Sequence, residues 1–277
     1  MRRVFGFIKD ALDIIAKHKI TVYASQATLF VIISALPFLM LIISLLKFFV
    51  PFDRAYIIEL GQSLMPIEVI PTLNSILDEV FSGSTVSIAS VTTVTAVWAA
   101  SKGMMSLVQG LESVYETQEQ RGYIKTRLLS FVYTIVFVLI IMATLLFFVA
   151  GGYIIRLTGE HFPVISYVVK IIYTFPVIVY LLILTFVFGL LYKLLPGKNL
   201  SFLNQLPGAA VAALGWILFS VAFSFYVNRF ADYSYIYGSL TAVVLLMLWL
   251  YFCMNIFLLG AEVNCLLKER KEKHVER

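Results

Sequence analysis

Charge is what this sequence has least of. Among 277 residues only 21 are Lys or Arg and 16 are Asp or Glu, so charged side chains make up 13%. A soluble domain of ordinary composition carries about twice that share. Histidine is scarce as well. His18, His161 and His274 are the only three, and none has a second ligand at a metal-binding spacing. Metal-dependent nucleases gather several His and carboxylate ligands, so this scarcity argues against that class. No Gly-rich nucleotide loop and no Ser-His-Asp order is present either. The expectation is no enzymatic activity, no metal and no cofactor. The two cysteines, Cys253 and Cys265, stand twelve residues apart in one apolar run. About 18 Å of helix rise separates them, so they cannot pair with each other. The N-terminal stretch lacks an uninterrupted apolar core and a small-residue cleavage site, so it does not read as a secretory signal.

What is present is apolar length. Hydrophobic residues make up 61% of the chain, and the mean hydropathy is +0.93. From Gly238 to Gly260 there is no charged residue. At about 1.5 Å per residue such a run crosses a hydrocarbon core of about 30 Å. The expected fold is all-α: a polytopic integral membrane protein with six transmembrane helices and short interfacial helices. The spans are placed at about 24–49, 85–107, 128–155, 167–195, 206–230 and 238–266, with a long external loop at 50–84. Residues 50–84 hold apolar positions at helical spacing, which predicts two short amphipathic helices along the outer surface. Residues 1–22 predict an amphipathic helix, either lying in the membrane interface or docked on the ends of the bundle. Residues 108–127 read as a hydrophilic connection, and 267–277 as a charged tail.

Basic residues set the orientation. Arg2, Arg3, Lys9, Lys17 and Lys19, then Arg121, Lys125 and Arg127, then Lys193 and Lys198, then Lys268 to Arg277, all fall on one side of this layout. Positive charge stays on the cytoplasmic side, so both termini are expected there. The net charge of +5 is modest and gives no reason to expect nucleic acid. The mixed-sign tail suits a solvated helix end or anionic lipid headgroups. Prolines in spans one and four, and small-residue faces in spans two and five, would suit an inverted repeat of three spans each. No residue-level repeat accompanies them.

Several stretches resemble the YihY/BrkB family, bacterial membrane proteins once labelled ribonuclease BN-like. They are Ser34-Ala35-Leu36-Pro37, Trp98-Ala99-Ala100-Ser101-Lys102-Gly103, Leu111-Glu112-Ser113-Val114-Tyr115, Tyr237-Gly238-Ser239-Leu240 and Gly260-Ala261-Glu262. The resemblance runs in order along nearly the whole chain. It implies a six-helix protein of the bacterial cytoplasmic membrane, with Ser34, Gly103, Glu112, Gly238 and Gly260 among its motif positions. It also implies export of a lipid-like or other amphipathic molecule, with membrane lipids as partners.

The residues most expensive in hydrocarbon are the candidate functional ones. Lys102 lies inside span two and Glu262 near the end of span six. One expectation is that they pair inside the bundle; the other is that Lys102 snorkels to headgroups and Glu262 is interfacial. Asn255, and more weakly Gln26, are expected to face inward, as helix-joining hydrogen bonds or as part of a transport path. Pro37 and Pro176 are candidate kinks or hinges. The expected function is a transporter or exporter of an amphipathic substrate. The alternative is a membrane scaffold or assembly factor in which the same polar residues only join helices.

Overall fold

The structure, a computed structural model, describes residues 13–49, 86–117, 122–139, 176–230 and 240–275, with single helical positions at 58, 74, 75, 77 and 78. Among the described residues every regular element is helical. The helices are α1 (residues 13–17), α2 (Ile20–Phe49), α3 (Val86–Val114), α4 (residues 123–139), α5 (Pro176–Leu194), α6 (Phe202–Phe230) and α7 (Leu240–Val275). The expected surface helices of 50–84 lie almost wholly outside the described residues, as do Gly238, His161, residues 1–12 and residues 167–175.

Among the described residues three helices are long and apolar enough to cross a membrane: Val177–Leu194, Phe202–Val227 and Val243–Lys273. Their outward faces are apolar. Leu182 is 63% exposed and Leu218 68% exposed, a surface that suits lipid and not water.

Among the described residues the main buried cluster gathers at one end of the bundle. It draws Ile20 and Ala24 from the start of α2, Leu111 and Val114 from the end of α3, and Phe188 and Tyr192 from the end of α5. Ala209 and Ala212 come from the start of α6, and Phe257 and Ala261 from α7. Helices α2 and α6 therefore run opposite to α3, α5 and α7. The turn at 115–117, the connection at 195–201 and the α1–α2 joint share this end with the adjoining part of α7.

Several boundaries differ from the sequence expectation. Helix α3 continues to Val114, past the expected end at 107. Val108, Leu111 and Val114 recur at three-residue spacing and are buried, so packing overrides the polar residues between them. Helix α7 runs on to Val275 through the charged tail. The N-terminal helix does not continue to residue 22. It stops at Lys17, and Lys19 takes φ 50 before α2 begins. The chain turns there to dock α1 on the bundle, one of the two placements expected for it.

Proline acts differently at the three described positions that lie in helices. Pro37 lies inside α2, which carries on to Phe49. The Ser34 hydroxyl donates to Val31 O at 3.0 Å, so it does not serve the Ile33 carbonyl that Pro37 leaves without its helical partner. Pro176 opens α5, a position that suits a residue with no N–H; the kink expected there rests on residues 167–175. Pro207 lies inside α6, and the backbone beside it is held by α7.

Helices α6 and α7 cross with their backbones in contact. A Cβ added at Gly208 would fall 2.1 Å from Gly260 O, and one at Gly260 would fall 2.5 Å from Ala212 Cβ and 2.7 Å from Gly208 O. This is the close approach that small residues permit. The small face of α3 packs on α2 with more room: a Cβ at Gly103 would meet Val31 Cγ2 at 3.4 Å. Gly208→Ala and Gly260→Ala should therefore each destabilise the protein by at least about 2 kcal/mol through overpacking, and Gly103→Ala by less than about 1. Thermal unfolding in detergent checks this; equal effects at the three positions would contradict the packing.

Candidate functional site

Two polar clusters occupy the packed end and the adjoining stretch of α3. The first is built around Glu262 on α7. Glu262 is buried, and its Oε2 makes a 2.8 Å hydrogen bond with His18 Nδ1. His18 sits in the α1–α2 joint, and its carbonyl accepts the Ser113 hydroxyl of α3 at 3.0 Å. His18 Nε2 faces Glu116 Oε1 at 3.5 Å, a long contact and not a hydrogen bond. Glu116 is exposed and pairs with Lys17 at 2.6 Å. The imidazole thus stands between a buried carboxylate and an exposed one. Lys19 and Glu116, both at positive φ, flank it; left-handed backbone at non-glycine residues costs about 1–3 kcal/mol each and collects where a site over-determines it.

The Lys17 ammonium holds the Glu116 carboxyl below its ordinary range, and Glu116 in turn raises Lys17. A lowered carboxylate pKa contributes above the ordinary value and loses its contribution as pH falls through the lowered one. A raised lysine contributes below its ordinary pKa and fades above the raised one. The exposed pair therefore acts across the range between the two and is screened by salt.

Beside this lies a second buried network. Tyr115, kept protonated by burial, which pushes its phenol well above the usual range, donates to Gln205 Oε1 at 2.5 Å. Asn264 accepts the Gly208 N–H at 2.7 Å and donates to Gln205 O and Oε1, each at 3.1 Å. It thereby engages the α6 backbone on both sides of Pro207. Tyr192 donates to Phe257 O at 2.5 Å. Polar groups buried in this way require partners, and these four have them.

The Lys102–Glu262 pair is not formed. Glu262 stands level with Ser113, which is eleven residues beyond Lys102 on α3, about 16 Å by helix rise and past the reach of a lysine stem. Lys102 instead places Nζ 4.4 Å from the Trp98 ring centroid and 5.1 Å from that of Phe30. Arg127 of α4 approaches the same Trp98 with Cζ 5.8 Å from the centroid, and Nη2 donates to Trp98 O at 3.5 Å. Each such cation–π contact is worth about 0.5–2 kcal/mol, more when desolvated.

Asn255 is half-buried and donates to Tyr251 O of its own helix at 2.8 Å, and among the described residues it joins no second helix. Gln26 is half-buried on α2, Gly103 is buried against it, and Glu112 is half-buried near the end of α3. Ser101 and Ser106 donate to Trp98 O and Lys102 O, back-bonding within α3. Glu112 instead lines a crevice of about 480 Å³ between α2, α3 and α4, together with Gln109, Ser113, Glu116, Thr117 and Thr126. Lys102, Gln109 and Ser113 follow one another at spacings of seven and four, so a polar stripe runs along one face of α3, and Glu116 lies in the turn just past its end. Among the described residues no three His, Cys, Asp or Glu side chains gather as a metal site.

Sequence reasoning found Glu262 and Lys102 but missed His18, Tyr115, Gln205, Asn264 and Arg127. A signal existed for Asn264, a polar residue two positions past Glu262. His18, by contrast, reads from sequence as a solvated residue.

Apolar helices with outward lipid-suited faces and buried polar joints define an integral membrane protein of the helical-bundle class. Comparison with known proteins gives the family. The chain belongs to the Virulence factor BrkB family, whose pattern matches residues 11–277. It is 31% identical over 267 residues to YfkH of Bacillus subtilis (strain 168), a protein named as ribonuclease-like; the match covers 96% of this chain and 97% of that one. It is 42% identical over 91 residues to a UPF0761 membrane protein of Vibrio campbellii, covering 33% of this chain and 29% of the relative. A similar protein of Vibrio cholerae (strain M66-2) is 40% identical over 81 residues, covering 29% of this chain and 27% of that one. No solved structure matches.

Removing one partner of a buried hydrogen bond strands the other polar group and costs about 1–3 kcal/mol, more where that group is charged, with smaller values usual in membranes. His18→Leu and Glu262→Leu should each destabilise by about 3 kcal/mol, and the double variant should recover more than half of the combined loss. A double-mutant cycle on detergent unfolding measures this, and strict additivity would remove the coupling.

Proposed function

We propose that this protein is a six-span transporter of the bacterial cytoplasmic membrane, with both termini inside, that moves an amphipathic, lipid-like molecule. The observation that carries the reading is the polar stripe of α3. It begins in the open crevice beside Glu112 and Glu116 and extends inward to Lys102, while the neighbouring helices present apolar faces outward. A molecule with a polar head and an apolar tail fits that division: the head follows the stripe and the tail stays in lipid. Catalysis has no place in the reading, because the three histidines are dispersed in sequence and His18 is engaged by Glu262. A scaffold role is the second reading, favoured by the dense hydrogen bonding of Tyr115, Gln205 and Asn264, which joins helices without leaving a path.

The location of the basic residues supports the orientation. Lys17, Lys125, Lys198 and Lys268 all belong to segments at the packed end. Cysteine labelling of intact cells with an impermeant reagent should modify a cysteine placed at Ser63 and spare one at Gln120. The reverse pattern would invert the orientation.

Transport is tested in vesicles. Proteoliposomes of the full chain should exchange a fluorescent-headgroup phospholipid between leaflets faster than protein-free vesicles. Gln109→Trp, which fills the crevice with apolar bulk, should slow exchange by roughly ten-fold, equivalent to about 1.4 kcal/mol on the barrier. Exchange no faster than in protein-free vesicles would remove the transport reading and leave the scaffold.

A further inference from the structure

Two cations share one aromatic ring on the α3–α4 side of the bundle, and among the described residues no acid answers them. Lys102 lies twelve residues before Val114, about 18 Å from the end of α3 by helix rise. Its Nζ is 4.4 Å from the Trp98 centroid, and Arg127 Cζ is 5.8 Å from it. Neither makes an ion pair with any described residue. Glu112, the next acid along α3, is ten residues past Lys102, about 15 Å by rise. The guanidinium is short of acceptors too: Nη2 reaches only the Trp98 carbonyl, at 3.5 Å, and Nη1 is enclosed without a partner. Trp98 itself is 50% exposed, so the ring that gathers the cations is open to an approaching molecule.

Two like charges gathered at one ring, within about 10 Å of each other by their centroid distances, repel each other, and in apolar surroundings the repulsion is weakly screened. Aromatic faces moderate this but carry no net charge to cancel it. The missing component is an anion with several acceptor oxygens, able to take the planar fork of Arg127 and the point charge of Lys102 together.

We propose that Lys102 and Arg127, gathered at Trp98, bind the phosphate of an anionic phosphate ester. This rests on the transport reading in naming the substrate's head, and it deepens that reading by giving the head its chemistry. The indole offers an apolar wall against the carbon next to the phosphate, and the two cations balance its charge. An ordinary snorkelling lysine would reach for the headgroup layer alone; here a second cation from a different helix converges on the same ring.

Native mass spectrometry of the purified full chain tests the proposal, with phosphatidylglycerol and phosphatidylcholine of matched acyl chains as probes. The wild type should prefer phosphatidylglycerol by about ten-fold or more. Lys102→Gln and Arg127→Gln should each remove most of that preference, since one charge-assisted contact corresponds to about ten-fold in affinity. Lys268→Gln, on the exposed end of α7, should leave it unchanged. Lys102→Arg keeps the charge and should keep the preference, which separates loss of the site from loss of the fold. If Lys102→Gln cannot be purified folded, Arg127→Gln with Trp98→Leu carries the same test. Inorganic phosphate added at millimolar concentration identifies the source: competition means a soluble phosphate ester, and no competition means one borne on a lipid. A phosphatidylglycerol preference that survives loss of both cations overturns the proposal. Headgroup binding without leaflet exchange keeps this site and removes the transport reading; exchange with both cations dispensable removes the site and keeps the transport reading.

Discussion

The backbones of α6 and α7 touch at Gly208 and Gly260, and much of the packed end depends on that approach. With no Cβ on either side, Gly260 O comes within van der Waals range of α6, and Asn264, one turn on, reaches the α6 backbone beside Pro207. Proline removes a helical hydrogen bond and disturbs the ladder around it. In water that defect would be solvated, whereas in a bilayer it must be met by the protein. The carbonyl that Pro207 leaves is that of Leu203; Asn264 instead holds the Gly208 N–H and the Gln205 carbonyl on either side of the proline, and its amide extends the network to the Gln205 side chain and Tyr115, so the end of α3 is tied to the same crossing.

Glu262 follows from this geometry. It lies two residues past Gly260, on a helix held close to its neighbours, and cannot turn out to water. A carboxylate there needs a partner that arrives from elsewhere in the chain. The α1–α2 joint supplies His18, at the expense of left-handed backbone at Lys19. The N-terminal helix is thereby anchored to the bundle by a buried polar contact as well as by the exposed Lys17–Glu116 pair. The buried contact is insensitive to salt and the exposed one is not.

The other membrane-depth charge has a different solution. Among the described residues Lys102 has no acid within reach; it lies against rings, and Arg127 approaches the same Trp98. One end of the polar stripe on α3 is therefore acidic and open, at Glu112 and Glu116, and the other is cationic and aromatic.

Composition and pattern alone determined that this chain is helical and belongs in a membrane. Long uncharged runs leave no other stable state, because backbone groups in hydrocarbon must bond within their own segment. The sequence also located Glu262 and Lys102, since any charge within such a run stands out. The small-residue faces of α3 and α6 were legible for the same reason, spacing on a helix being independent of the rest of the fold. The partners were not legible. Whether Glu262 meets Lys102 or His18 depends on how far along α3 the bundle end falls, and α3 runs seven residues past where its polar residues suggested an end. Burial of Leu111 and Val114 against neighbouring helices sets that length, and only the assembled bundle contains those neighbours. Asn264 and Gln205, ordinary polar residues in sequence, become a joint only because two glycines let α6 and α7 touch. Pairing is a property of distances between helices, and tertiary structure alone decides those.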